Sequence, residues 1–436
     1  IWVTPCSAEL SGSDSQCRIH ITKPKYEYKY IHDGDIIIGG VFSVNCGVRY
    51  ISDNTGKYIS LCINPVLDHY VEIQALIFTA NEISKSPDLL PNITLGYHVY
   101  DSCTNPSLAI GSVLQILSGP GNVVPNYSCR DQGQIAGFIG DRSTVTSLPI
   151  AQLLSIYGYS QISYGASDPE LNDRVQYPYY FSTRTNERVQ HIAIAELVEH
   201  LGWTWVIILA VDDDHAERES QNLRNEINKH GACVDFIGTL TEDKDTNIRT
   251  LERIQKCTAE VVVLCGEGFH TIYLILLTEE MIKDKTFVLP VTWIPIYTRF
   301  LFNGCLEFIE IIAIYDEKKE FHAHVMAIEE DTLLKDILTI KASCLTHDKE
   351  KDELFHQVYR YEYSNCSRLK LKQEAFHPSY QVLKAVKGLA HAAHNLLATN
   401  HNKDIHKNFS GKEVTIEFME CKFEVANDLN SHQVRN

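Results

Sequence analysis

Apolar runs of strand length alternate with amphipathic stretches, and they do so in two successive series. This alternation constrains the fold more than any other feature of the chain. IIIGGVFSV (36–44) precedes a helical pattern near 66–84, ITLGYHVYD (93–101) one near 105–117, and IAGFIG (135–140) one at 147–157, followed by QISYGA (161–166). After FSTRTNE (181–187) the order restarts. ERVQHIAIAELVEHLG leads into WTWVIILAV, and VDFIGTL, AEVVVLC and KTFVLPV alternate with helical patterns near 217–229, 246–256 and 270–282. Strands apolar at every position must be covered on both faces, and strands separated by helices pair in parallel. The expected fold is α/β, with two doubly wound lobes around a cleft. From about residue 300 the pattern loosens into a charged stretch (316–375), a long helix (379–399) and one further strand, EVTIEF (413–418).

At 436 residues, 44% hydrophobic and 22% charged, the chain supports two or three domains with large cores. A formal charge of −17 disfavours nucleic acid and anionic membranes as partners. No apolar run reaches the length of a membrane span. The chain starts at Ile1 without a charged-then-apolar leader and reads as a mature or trimmed segment. Thirteen scattered cysteines, none in a CxxC pair, suit a secreted protein with a few disulfides, and the odd count leaves at least one thiol over. Cys257 and Cys265, bracketing AEVVVLC, read as buried free thiols. Sequons stand at Asn92, Asn126, Asn365 and Asn408.

The segment FIGDRSTVTSLPIAQLL (138–154) places Ser143, Thr144, Thr146 and Ser147 where a strand hands over to a helix. It lacks the GxxxxGK[ST] of a phosphate loop, and no GxGxxG occurs. Free N–H groups and hydroxyls at a helix start suit a small anion such as a carboxylate. The same hydroxyls also serve as helix caps. No GxSxG or HExxH is present. Asp212–Asp213–Asp214–His215 follows the strand WVIILAV; adjacent Asp side chains diverge, so a solvated, helix-capping loop fits better than a metal site. His391 and His394, and His322 and His324, lack the carboxylate or thiol that would complete a metal site. No cofactor, metal or enzymatic chemistry is expected.

The phrases GDIIIGGVFSV, EIQALIFTANEIS, LLPNITLGYHVYDSC, LLSIYGYSQISYGAS, YPYYFSTRTNERVQ, LGWTWVIILAVDDD and SYQVLKAVKGLAHAAHNLL together resemble the extracellular Venus-flytrap domain of class C G-protein-coupled receptors. Within that class they are most similar to vomeronasal type-2 and olfactory receptors. The resemblance spans about 30–300 and resumes at 376–418. It implies a periplasmic-binding-protein-like domain of type I, with lobe 1 at 1–185 and 315–436 and lobe 2 at 186–314. A chemosensory receptor of this kind binds an amino acid or peptide-like ligand in the interlobe cleft and signals by lobe closure in a homo- or heterodimer. The G protein is reached only through a membrane domain absent from this sequence.

The resemblance further implies that Thr144 (beside Ser143) and Ser167 hold the ligand's α-carboxylate and that Glu187 holds its α-ammonium. It departs from the family at His215, where a tyrosine is usual, at Val291 before Trp293, where an acid is usual, and at Ser182 in FST. These departures leave room for a peptide ligand, or for a partner subunit that does not itself bind. By resemblance Cys62 pairs with Cys103 and Cys344 with Cys366. Cys129 links protomers, and Cys233 reaches a cysteine-rich domain that the sequence does not contain. Helices near 105–117 and 147–157 are the expected dimer face, with Ile110, Val113 and Leu114 as candidates, each of which could instead pack into the core. After EVTIEF the tail leaves the family pattern, as a truncated or altered product would. The domain is expected on the extracellular face of the plasma membrane, or secreted if truncated.

Overall fold

The computed structural model describes residues 23–52, 56, 58–119, 134–184, 186–241, 243–266, 284–291, 305–308, 318–346, 348–359, 376, 379–399 and 413–417. The chain divides into two compact units. The first comprises 1–166, 173–184 and 314–436, and the second 167–172 and 185–313.

In the first unit, β1 (Lys29–His32), β2 (Ile36–Phe42), β5 (Leu95–Asp101), β6 (Gln134–Ile139), β7 (Gln161–Ser163) and β8 (Tyr180–Ser182) form one sheet in the order β1-β5-β2-β6-β7-β8. Only β1 is antiparallel to its neighbour. A separate antiparallel hairpin joins β3 (Asn45–Ser52) to β4 (Tyr58–Pro65). Every residue of β2 is buried, because helices cover both faces. Ile36, Ile38 and Phe42 pack into a core with α1 (Leu67–Lys85), while Val41 meets Val113 and Ile116 of α2 (Pro106–Ser118) and Ile150 and Leu154 of α3 (Thr144–Tyr157).

The returning chain supplies α7 (Lys318–Met326), α8 (Thr332–Lys341), α9 (Lys349–Tyr359) and α10 (Tyr380–Thr399). Phe321, Val325, Leu333, Val386 and Leu389 from three of these helices complete the larger core. Residues 413–417, read from sequence as part of a strand, are instead helical. Val414 packs in that core, and Thr415 Oγ1 accepts the Ser160 N–H at 2.9 Å. Alternating apolar residues over so short a stretch do not distinguish a strand from one helical turn.

The second unit is a five-stranded, all-parallel sheet in the order β10-β9-β11-β12-β13. Its strands are β9 (Trp205–Val211), β10 (Cys233–Leu240), β11 (Val261–Cys265), β12 (Thr286–Leu289) and β13 (Leu306–Glu307). Period-two alternation divides each apolar strand between two cores. Ile207, Leu209, Val262 and Leu264 pack with Leu251 and Ile254 of α6 (Lys244–Lys256). Val206, Ile208, Ala210, Val261 and Val263 pack with Ile194 and Val198 of α4 (Glu187–His200) and Leu223 and Ile227 of α5 (Asp214–Lys229). The helix expected near 270–282 lies outside the described residues.

Val113 was a candidate for the dimer face, but it is fully buried against the first unit's own sheet. Ile110 and Leu114 are half-buried. The largest apolar exposure on α3 is at Ile156, which is 80% exposed. β7 ends at Ser163 rather than continuing to Ala166.

Candidate functional site

In each unit the first of the parallel strands, β2 or β9, has neighbours reached in opposite directions along the chain. The reversal falls between β2 and β6 in the first unit and between β9 and β11 in the second. Ligands of open α/β sheets bind beyond the strand carboxyl ends at such points, and both groups of candidate residues stand there.

At the end of β6, Gly140 passes so close to β2 that a Cβ would lie 2.0 Å from the Val41 carbonyl oxygen. Asp141 follows, fully buried, and acts as a tether. Ser43 and Ser102 donate to its Oδ2 at 2.8 and 2.6 Å, and the Arg142 N–H donates to Oδ1 at 2.6 Å. Burial pushes this carboxyl above its ordinary value, with these hydrogen bonds pulling it back. Ser147 closes the turn from the helix side, donating to the Asp141 carbonyl and accepting its N–H, both at 3.1 Å. Ser143 is the N-cap of α3 and accepts the Val145 N–H at 3.3 Å. Thr146 Oγ1 donates to the Ser143 carbonyl at 3.2 Å. The helix therefore starts at Thr144, a turn earlier than its apolar pattern suggests.

Three of the four hydroxyls are thus occupied within the loop. Thr144 is 3% exposed, and its Oγ1 has no hydrogen-bond partner among the described residues. A buried hydroxyl without a partner carries a desolvation cost that a ligand can remove.

Beside this loop, Arg142 is ion-paired with Glu72 of α1 at 2.5 Å. Burial nevertheless dominates, and pushes the Glu72 carboxyl up to about 7; Arg142 opposes the shift, while Asp141 and Asp68 add to it. Neither Glu72 nor Asp141 was picked out from the sequence. An acid inside an otherwise apolar helix (YVEIQALIF) was the available signal for Glu72.

The second group lies wholly within the second unit. Asn186 caps α4, accepting the Arg188 N–H at 2.8 Å, and this sets Glu187 in the first turn. Asp213 caps α5, accepting the Ala216 N–H at 2.7 Å, and sets His215 in its first turn. Of the three consecutive Asp residues only this one caps; Asp212 and Asp214 are exposed. Glu187 Oε2 meets His215 Nε2 at 3.0 Å and accepts from Ser167 Oγ at 3.4 Å. Glu187 and His215 are 6% and 5% exposed. Burial raises the Glu187 carboxyl above its usual range, against the His215 hydrogen bond.

One turn deeper, His191 of α4 faces Glu219 of α5 at 3.7 Å, and Glu219 Oε2 accepts the Gly266 N–H at 2.6 Å. This second pair was missed in the sequence, although Glu187/His191 and His215/Glu219 each stand at i, i+4. The Val291 N–H donates to Gln190 Oε1 at 2.9 Å, and Trp293 is outside the described residues.

The remaining candidates divide as follows. Cys62 and Cys103 form a disulfide. Cys344 is disulfide-bonded; Cys366, its expected partner, and Cys129 lie outside the described residues. Cys233 is a free, exposed thiol. Cys265 is a buried free thiol that burial raises well above its usual value; Cys257, expected to match it, is only half-buried. Asn92 is exposed in a turn, while Asn126, Asn365 and Asn408 are not among the described residues. His394 Nδ1 accepts the Leu90 N–H at 3.2 Å, and His322 Nδ1 accepts that of Phe376 at 3.3 Å. His324 Nε2 lies 3.2 Å from Gln74 Oε1. These three histidines are engaged in local structure.

Residues 72–426 match the family of receptor ligand-binding regions. The chain belongs to this family, whose fold is the type I periplasmic-binding-protein-like α/β fold. Its relatives are class C G-protein-coupled receptors. The extracellular calcium-sensing receptor of Sus scrofa is 30% identical over 244 residues, 54% of this chain and 23% of that receptor. Vomeronasal type-2 receptor 26 of Mus musculus is 33% identical over 223 residues, 49% of this chain and 26% of the receptor. Taste receptor type 1 member 3 of Canis lupus familiaris is 24% identical over 390 residues, 84% of this chain and 45% of the receptor. The chain therefore spans between about a quarter and under half of these receptors' lengths. The relatives are receptors rather than enzymes. No helix among the described residues is long and apolar enough to cross a membrane.

Proposed function

We propose that this chain is the ligand-binding ectodomain of a chemosensory class C receptor, of the vomeronasal or olfactory kind, and that it has no enzymatic role. The observation that carries the reading is the Thr144 hydroxyl, buried without a partner among the described residues at the start of α3 beyond the carboxyl end of a central strand. Such a hydroxyl, with the first N–H groups of the helix, suits one carboxylate oxygen of a ligand. Glu187, with Ser167 beside it, is the complementary anion for an α-ammonium. An amino acid or peptide-like ligand would then sit in a cleft between the lobes, close them, and signal through a dimer on the extracellular face of the membrane.

A second reading is a partner subunit that pairs with a ligand-binding receptor chain. It is favoured by one observation: His215 already occupies Glu187 from inside the protein.

Thermal unfolding against a panel of L-amino acids and short peptides tests both, because a ligand selective for the native state raises the melting temperature. The expected result is a rise with at least one amino acid, lost in Thr144→Ala and Glu187→Ala. A rise with peptides only would change the ligand class, and no rise with any member of the panel would favour the partner subunit.

A further inference from the structure

The α4–α5 contact buries two carboxylates and two imidazoles in alternating order. Glu187 and His191 lie one turn apart on α4, and His215 and Glu219 one turn apart on α5, so each imidazole faces an acid on the other helix. All four residues are between 1% and 6% exposed. Across the two pairs, Glu219, His215 and His191 all act on the Glu187 carboxyl, Glu219 raising it and the imidazoles lowering it.

Asp168, an acid on the 167–172 segment, is bonded to Arg218 at 2.7 Å. From β11 comes the neutral, buried Cys265 thiol, and beyond it the Gly266 N–H on Glu219. Among the described residues His191 Nε2 has no hydrogen-bond partner, only Glu219 at ion-pair distance. Glu187 Oε1 carries no hydrogen bond among the described residues, whereas Oε2 is held by His215 and Ser167. An ionised Glu187 at 3.0 Å from His215 favours the imidazolium over the neutral ring.

We propose that Glu187 and His215 form a proton-exchanging amine site: protonated His215 compensates Glu187 in the empty protein, and a ligand's primary ammonium takes over that role as the imidazole proton leaves to solvent. This deepens the reading of Glu187 as the amine site and rests on it. The balance is one ammonium bound for one proton released. His191 and Glu219 are positioning residues, holding the second anion against the pair. The sign follows from linkage. Where His215 is protonated, amine affinity rises about tenfold per pH unit, and it levels off once the imidazole is neutral. A ligand of the same skeleton with a hydroxyl in place of the amine shows no such rise.

The test is an NMR pH titration of the 15N-histidine-labelled chain between pH 5.5 and 8, with His215→Gln identifying the resonance. L-alanine and L-lactate serve as probes in parallel thermal-shift measurements. The expected result is an imidazolium at position 215 at pH 6.5 that becomes neutral in Glu187→Gln, and whose midpoint falls in Glu219→Gln. The alanine-induced rise in melting temperature should grow between pH 5.5 and 7.5. A His215 that is neutral throughout, or indifferent to Glu187→Gln, overturns the proposal even if alanine binds. So does an alanine shift of constant size. Absence of any alanine shift counts against the amino-acid reading alone, and the imidazole titration still decides the state of the pair. If His215→Gln does not fold, His215→Asn identifies the resonance.

Discussion

Glu72 shows how a single buried acid sets a pH dependence. Its ion pair with Arg142 does not outweigh the loss of hydration, so its carboxyl rises from 4.5 to about 7. The folded state then binds this proton more tightly than the unfolded chain. The contribution is fully present below about pH 4.5 and is lost as pH rises through about 7. Asp101, pushed up to about 6 by burial, acts with the same sign over a lower window. The expected loss from Glu72 alone is on the order of 3 kcal/mol across the window. Denaturant unfolding at pH 5 and pH 8 should show it, and Glu72→Gln should remove the upper part of the slope. An unchanged slope in that variant would assign it to Asp101 or elsewhere. Glu72 was not recognised as special in the sequence, because its environment is made by residues 70 positions away.

At the scale of elements, the starts of helices decide where the candidate residues point. The run Asp212–Asp214 appears uniform in sequence, yet only Asp213 bonds a backbone N–H of α5. Asp213→Ala should destabilise the second unit by about 1 kcal/mol, the usual worth of an N-cap. Asp212→Ala and Asp214→Ala should each stay within about 0.5 kcal/mol. Chemical denaturation of the three variants measures this, and equal effects from all three would refute a specific cap. Helices and strands were legible wherever apolar periodicity ran for more than about ten residues, as in α1, α4 and α10. Their first turns were less so. α3 and α5 begin at Thr144 and Asp214 because polar caps, rather than apolar residues, define where a helix starts.

For the whole molecule, the returning segment and the disulfide hold distant parts of the first unit together. Cys62–Cys103 closes 41 residues, joining β4 to the turn after β5. Chain-entropy reasoning gives it a stabilisation of about 4 kcal/mol. Cys62→Ser with Cys103→Ser should therefore lower the first unit's unfolding midpoint. Coincident midpoints for variant and parent would show that the reduced chain already keeps these segments close. The lobe arrangement proposed from resemblance, with lobe 1 at 1–185 and 315–436, meets a division in which 167–172 belongs to the second unit. That short segment carries Ser167 to Glu187. No local pattern marks it, because its allegiance depends on a side-chain contact across 20 residues.

The sequence by itself determined the class of fold, two series of parallel strands under helices, since solvent must be kept from apolar strands on both faces. It also carried the family, through phrases spread over most of the chain. Only the tertiary structure decided which hydroxyl of the loop lacks a partner among the described residues, that His215 holds Glu187, and that His191 and Glu219 stand behind them. The physical reason is one of range. Periodicity records whether a residue faces core or solvent, which a dozen neighbours along the chain reveal. The state of a buried polar group depends on partners brought within about 3 Å by the packing of other elements.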